Sequence, residues 1–175
     1  QRLPRAINSD HLSALGLASM GAAGLAFAAF RLTPWAALGV IAALAANWFG
    51  DSLDGTVARV RRQQRPRYGF YVDHVIDLAG TAMLLAGMAC SGLMSPLVAA
   101  AVLAAYLLVS AESYLATHAA GIFRMSFMGV GPTELRILLM AGALRAAVAP
   151  SVTLPAQLSV RLFDLGGVIA TVGLG

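Results

Sequence analysis

The sequence predicts an all-α integral membrane protein, a bundle of six transmembrane helices with its active site at the cytoplasmic side. Three observations predict the helical membrane fold. Of 175 residues, 59% are hydrophobic and 11% charged, against about 25% charged in an ordinary soluble domain. Uncharged runs recur at lengths near the roughly twenty residues a helix needs to cross about 30 Å of hydrocarbon. The breaks between runs carry the Pro, Gly, Ser and Thr residues that start and stop helices.

Residues 12–30 carry no charge and form the first predicted span. "RLTP" then turns the chain, with Thr33 placed to cap and Pro34 at the first helical position of a second apolar segment, which runs from residue 35 to 50 and continues into "NWFGDSLDGTVARV". The Arg-rich piece containing Pro66 reads as a loop, and a third helix is expected from about Gly69 or Phe70 to Ser91. "SGLMSP" breaks it, and Ser95 and Pro96 start a fourth that reaches about His118. A fifth is expected over 132–148, beginning at "GPTE"; it holds Arg136 and Arg145, is weakly apolar, and so should pack inside the bundle. The sixth, from about Gln157 onward, places Arg161 and Asp164 three apart, where they can pair on one helix face. No repeat, low-complexity tract or long linker divides the chain, so residues 1–175 read as a single transmembrane domain. The sequence begins at Gln1 rather than methionine, which leaves room for residues ahead of it.

All twelve basic residues are arginine and the net charge is +4. Six spans put both termini on one side, together with Arg2, Arg5, the cluster Arg59, Arg61, Arg62, Arg65 and Arg67, and Arg124. The positive-inside rule makes that side the cytoplasm. A multi-pass protein of the cell (inner) membrane is expected. Membrane lipids are then its surroundings, a soluble nucleic-acid binder is excluded, and small-residue faces such as "GLASMGAAG" permit a homodimer. The lone Cys90, in an apolar run, implies no disulfide or thiolate metal site and reads as a small packing residue.

Charges are costly inside a bilayer, so acids that stay there mark function. Of eight acids, four fall between positions 51 and 77. On a helix, Asp51, Asp54, Gly55 and Ala58 share a face, because steps of three, four and seven return to it. Arg59 adds a fixed-charge fork suited to phosphate oxygens. Gly69, Asp73 and Asp77 follow at four-residue steps, again on one face. A short loop joins the two helices, so the carboxylate pairs lie at one depth and can converge. Four carboxylates in a low-dielectric site repel unless cations sit between them, which implies two divalent metals. The small residues leave room for a ligand near the backbone. Taken singly, any of these aspartates could be a helix cap or an arginine partner; four at matched spacing on adjacent helices are not explained that way. Asn47, one turn before Asp51 on its face, suits a supporting partner of that acid.

The run Asp51-x2-Asp54-Gly55-x2-Ala58-Arg59, nine residues, then Gly69-x3-Asp73-x3-Asp77 resembles the signature of the CDP-alcohol phosphotransferases, membrane enzymes of phospholipid synthesis. Its gap before Gly69 is one residue longer than usual. "HLSALGL" (residues 11–17) is similar to the family's first-helix start, with Asp10 where asparagine is common. The resemblance implies transfer of a substituted phosphate group from a CDP-alcohol to an acceptor hydroxyl, one substrate being a lipid, with release of CMP and two Mg²⁺ or Mn²⁺ ions. It implies that Asp51, Asp54, Asp73 and Asp77 are metal ligands, that Asp77 is also the general base, and that Asp54, Gly55, Ala58, Arg59, Gly69 and Asp73 form the CDP site. The donor alcohol and the acceptor are not readable from the motif.

Acceptor-side candidates are Glu134, Arg136, Arg124 and His74. Glu134 equally suits a helix N-terminus, and the arginines equally suit a cytoplasmic face. His74 beside Asp73, with "TE" two spans later, is faintly similar to the choline and ethanolamine phosphotransferase branch. The competing reading is a membrane transporter or cation-binding channel, since intramembrane acids also mark ion pathways. A transporter is expected to break its helices near mid-bilayer, whereas these acids cluster toward one face beside Arg59.

Overall fold

The computed structural model describes residue 4 and residues 7–121, 131–153 and 159–174. Helix α1 (Ser9–Ala28) starts where the Asn8 side chain accepts from the His11 amide at 2.9 Å and ends in a 3₁₀ turn, Ala29–Arg31. Helix α2 (Ala36–Val60) follows a turn in which Thr33 Oγ1 accepts from the Trp35 amide, and carries the first acidic motif as one unbroken helix. Helix α3 (Pro66–Ser91) starts three residues earlier than the sequence suggests. Pro66 is not loop but the first helical residue, where a missing N–H leaves no bond unmade. Gly92, at φ 80°, closes α3 in the left-handed conformation that glycine adopts without strain.

Helix α4 (Pro96–Ala120) is capped by Ser95, whose hydroxyl accepts from the Val98 amide. Helix α5 (Pro132–Val148) has the expected bounds. A short antiparallel pair, β1 (Ser151–Thr153) and β2 (Ser159–Arg161), leads into α6 (Leu162–Leu174). The described residues are thus overwhelmingly helical, as the all-α expectation has it, with one short antiparallel strand pair beside the helices.

Six α-helices are present among the described residues, but four are long and apolar enough to cross a membrane: Ser9–Arg31, Ala36–Val60, Pro66–Ser91 and Pro96–Ala120. At 1.5 Å per residue, the 17 residues of α5 and 13 of α6 reach only about 25 and 20 Å. The expected pairing of Arg161 with Asp164 is not made. Arg161 belongs to β2, so helical spacing does not apply, and Asp164 Oδ1 instead accepts from the Ser95 amide at 2.5 Å. Helix α5 is also more peripheral than predicted: only Ala143 and Ala146 are buried, while Leu135, Ile137 and Leu138 face outward. Its arginines are satisfied near its two ends, Arg136 by α2 and Arg145 by the Ala149 carbonyl, so burial of the whole helix is not required. Cys90 is exposed, not packed as the sequence suggests.

Helix α1 packs against α2 and α3, α2 also against α5, and α4 against α3 and α6. Phe27, Val40, Leu44 and Met94 are fully buried in the core, and the Phe27 ring meets Phe163 edge-on with centroids 5.5 Å apart. The α1–α3 crossing depends on glycine: a Cβ on Gly87 would collide with the backbone of Gly24, and one on Gly24 with the Met83 carbonyl. Close backbone approach of this kind substitutes packing contact for the hydrophobic drive that lipid cannot supply. Gly50 brings α2 equally close to α1, its would-be Cβ 2.7 Å from the Leu12 carbonyl oxygen. These contacts gather the start of α1, the end of α2 and the start of α3 at one end of the bundle.

Candidate active site

At that end, one cavity is lined by Ser13 and Gly16 of α1, Asn47, Asp51 and Asp54 of α2, and Asp73, Ile76 and Asp77 of α3. Helical periodicity puts each acid pair on one face, and the glycine-set packing of α1 turns both faces toward a common space. The cavity is small, about 20 Å³, near the minimum for a single water. It shares Ser13, Asp54 and Asp73 with a larger cleft of about 270 Å³. That cleft is walled by Gly55, Ala58 and Arg59 on α2, Gly69 on α3, and Asp10 and Arg65 beside them. A Cβ on Gly55 or on Gly69 would meet nothing within 4 Å. These two glycines are therefore not demanded by packing, and both border the open space of the cleft. Every residue of the sequence motif lines one space or the other.

Neighbouring helices hold two of the acids. Ser13 Oγ donates to Asp54 Oδ2 at 2.8 Å, and Asp54 Oδ1 accepts from the Gly55 amide at 2.5 Å. Arg136 of α5 donates from Nη2 to Asp51 Oδ2 at 2.7 Å and from Nε to Asn47 Oδ1 at 2.8 Å. Asn47, foreseen as a supporting residue, is buried and in turn donates to the Gly16 carbonyl at 3.0 Å. Ser13 was not singled out from the sequence; nothing local marks it, since its partner lies 41 residues away.

Along the wall of the cleft, Arg65 pairs with Asp10 and its guanidinium lies 4.2 Å from the Tyr68 ring centroid. Hydrogen bonding to Asp10 raises the Arg65 pKa above its ordinary value, so the cation is retained. Arg61 donates to the Ile7 and Pro4 carbonyls and ties the end of α2 to the segment before α1. Arg59 reaches back toward Thr56 Oγ1 at 3.4 Å.

The acceptor-side candidates are dispersed. Glu134 accepts from the Gly131 amide at 3.0 Å and caps α5. His74 Nδ1 lies 2.5 Å from the Phe70 carbonyl, and its ring meets Tyr114 edge-on with centroids 4.7 Å apart, so it serves the α3–α4 contact and does not line either space. Arg136 is engaged by Asn47 and Asp51 as above. Arg124 lies outside the described residues.

The chemistry of the donor set fits hard divalent cations, because four carboxylates face one small space. Among the described residues, no three acidic, histidine or cysteine side chains are gathered into a ligand cluster. What the fold supplies is a shared cavity with oxygens of the right kind. No curated protein matches this chain. The family model for CDP-alcohol phosphatidyltransferases matches residues 11–170, a stretch that takes in α1 from its third residue, all of the motif and most of α6. With the match covering nearly the whole sequence and every motif residue on the two joined spaces, the chain belongs to the CDP-alcohol phosphatidyltransferase family.

Proposed function

We propose that this chain moves a substituted phosphate group from a CDP-alcohol to an acceptor hydroxyl with release of CMP, using two divalent ions, Mg²⁺ or Mn²⁺. Family membership implies phospholipid synthesis by phosphotransfer from a CDP-alcohol. The observation that carries the finer reading is the junction of the two spaces: an acidic cavity of Asp51, Asp54, Asp73 and Asp77 adjoining a cleft bordered by Gly55 and Gly69.

In this reading the cleft takes the CDP group. Gly55, Ala58 and Gly69 admit it close to the backbone, and Arg59 meets phosphate oxygens with a fixed charge. Asp51, Asp54, Asp73 and Asp77 hold the cations, which when bound offset the charge that builds on the pyrophosphate and on departing CMP. The acceptor oxygen bonds to the phosphorus distal to the cytidine, the bond from that phosphorus to the CMP oxygen breaks, and Asp77 receives the acceptor proton. Acceptor recognition draws on Glu134, Arg136, Arg124 and His74. Among the described residues of this set, Glu134 also caps α5, His74 meets Tyr114 and Arg136 holds Asp51. We place residues 1–175 in the inner membrane as one multi-pass domain with both termini and the site on the cytoplasmic face and a lipid as one substrate; small-residue helix faces permit a homodimer.

The test is CMP release by purified protein given Mg²⁺ and a matrix of CDP-alcohols and acceptors. The reading expects CMP to appear only when a matched donor and acceptor are both present. CMP formed at the same rate without any acceptor alcohol would point to hydrolysis and overturn it.

A further inference from the structure

Asp51 is held from outside its own helix, and the way it is held assigns a task to α5. Arg136 presents two nitrogens of one planar guanidinium to two side chains a helical turn apart on α2: Nε to Asn47 Oδ1 at 2.8 Å and Nη2 to Asp51 Oδ2 at 2.7 Å. Asn47 is itself fixed, buried at 6% exposure with Nδ2 on the Gly16 carbonyl of α1. The Arg136 side chain is 14% exposed, against 49% for Asp51. The fork is therefore the more sheltered and better anchored partner, and the carboxylate is the group being oriented.

We infer that Arg136 is a positioning residue for the cation site: it clamps Oδ2 of Asp51 against the Asn47 anchor and so leaves Oδ1 free for a divalent ion. The inference rests on the proposed metal-assisted reaction and adds a residue that lies outside the acidic motif, on a helix that motif does not include. Two physical effects oppose each other here. A guanidinium beside the site repels a dication, so removing its charge alone should tighten metal binding. Losing the clamp frees the carboxylate and should weaken binding, and outer partners of metal ligands typically matter by about ten- to a hundredfold in affinity. Lysine separates the two effects: it keeps the charge but has no fork with which to bridge Asn47 and Asp51 at once.

The experiment titrates Mn²⁺ alone into purified full-length wild type, Arg136→Lys and Arg136→Gln, reading bound metal by electron paramagnetic resonance, with CMP release measured in parallel across Mn²⁺ concentration. The expected result is about tenfold or greater loss of Mn²⁺ affinity in both variants, with CMP release partly restored in each by raising Mn²⁺. A helix-packing role alone would lower the thermal midpoint without making activity depend on added metal. Should Arg136→Gln fail to fold, Arg136→Lys carries the test. Unchanged affinity in the folded variants, or tighter binding in Arg136→Gln, overturns the positioning role while leaving the proposed reaction standing. Failure of the wild type itself to bind Mn²⁺ overturns the metal reading, and the role of Arg136 with it.

Discussion

Ser13 Oγ on α1 donates to Asp54 Oδ2 on α2 at 2.8 Å, across 41 residues of sequence. The contact joins two helices where Gly50 lets their backbones touch, and it fixes one oxygen of an acid at the boundary between cavity and cleft. Replacing Ser13 by Ala should cost about 1.5–3 kcal/mol of stability, the range for a hydrogen bond to a charged group, and lower CMP release about tenfold through a less ordered Asp54. Ser13→Thr keeps the hydroxyl and should restore both. Equal activity of the alanine variant and wild type at limiting Mg²⁺ would remove Ser13 from the site.

Asp54 and Asp73 line both spaces. Asp54→Asn and Asp73→Asn should each abolish turnover with either Mg²⁺ or Mn²⁺, because a neutral amide oxygen does not offset divalent charge. Chelation of metal should likewise stop the wild type while its helical circular dichroism persists, since the buried apolar core lies apart from these acids. Near-normal CMP release from both variants would refute the metal assignment.

Ala58 faces the cleft beside Gly55. Ala58→Leu should fold normally yet lose nucleotide binding, as the added methyl groups fill space the cytidine nucleotide needs. Titration with CMP decides it: wild-type affinity in the leucine variant moves Ala58 out of the pocket.

Two glycines should respond oppositely to the same added methyl group. Gly87→Ala forces a Cβ into the Gly24 backbone, and overpacking of this kind costs about 1–3 kcal/mol or more. Gly55→Ala meets open space and should leave the thermal midpoint within a degree or two of wild type, while weakening CMP binding. Equal destabilisation by the two substitutions would contradict the packing described for α1 and α3.

Asp77 lies one turn beyond Asp73 and lines the cavity but not the cleft. Asp77→Asn should lower kcat by about 10² to 10⁴, the usual contribution of a general base, and change donor affinity by less than about tenfold, or about 1.4 kcal/mol. Parallel loss of donor binding would make Asp77 chiefly a ligand and send the proton elsewhere.

What the sequence determined by itself is what backbone geometry and bilayer thickness dictate locally. Run length located the long helices, Ser95 with Pro96 and Gly131 with Pro132 marked starts within a residue, and steps of three and four put Asp51 with Asp54 and Asp73 with Asp77 on single faces. Where two local signals competed, the reading slipped. Pro66 looked like a break and is a helix start, and Arg161 looked helical and is a strand residue that leaves Asp164 to the Ser95 amide. Only the tertiary structure decided which helices supply the supporting shell. Ser13 reaches Asp54 over 41 residues and Arg136 reaches Asp51 over 85, and no periodicity within a helix encodes such a meeting. It depends on how α1, α2 and α5 dock, which is set by the shapes of their facing surfaces, above all where glycine lets two backbones approach.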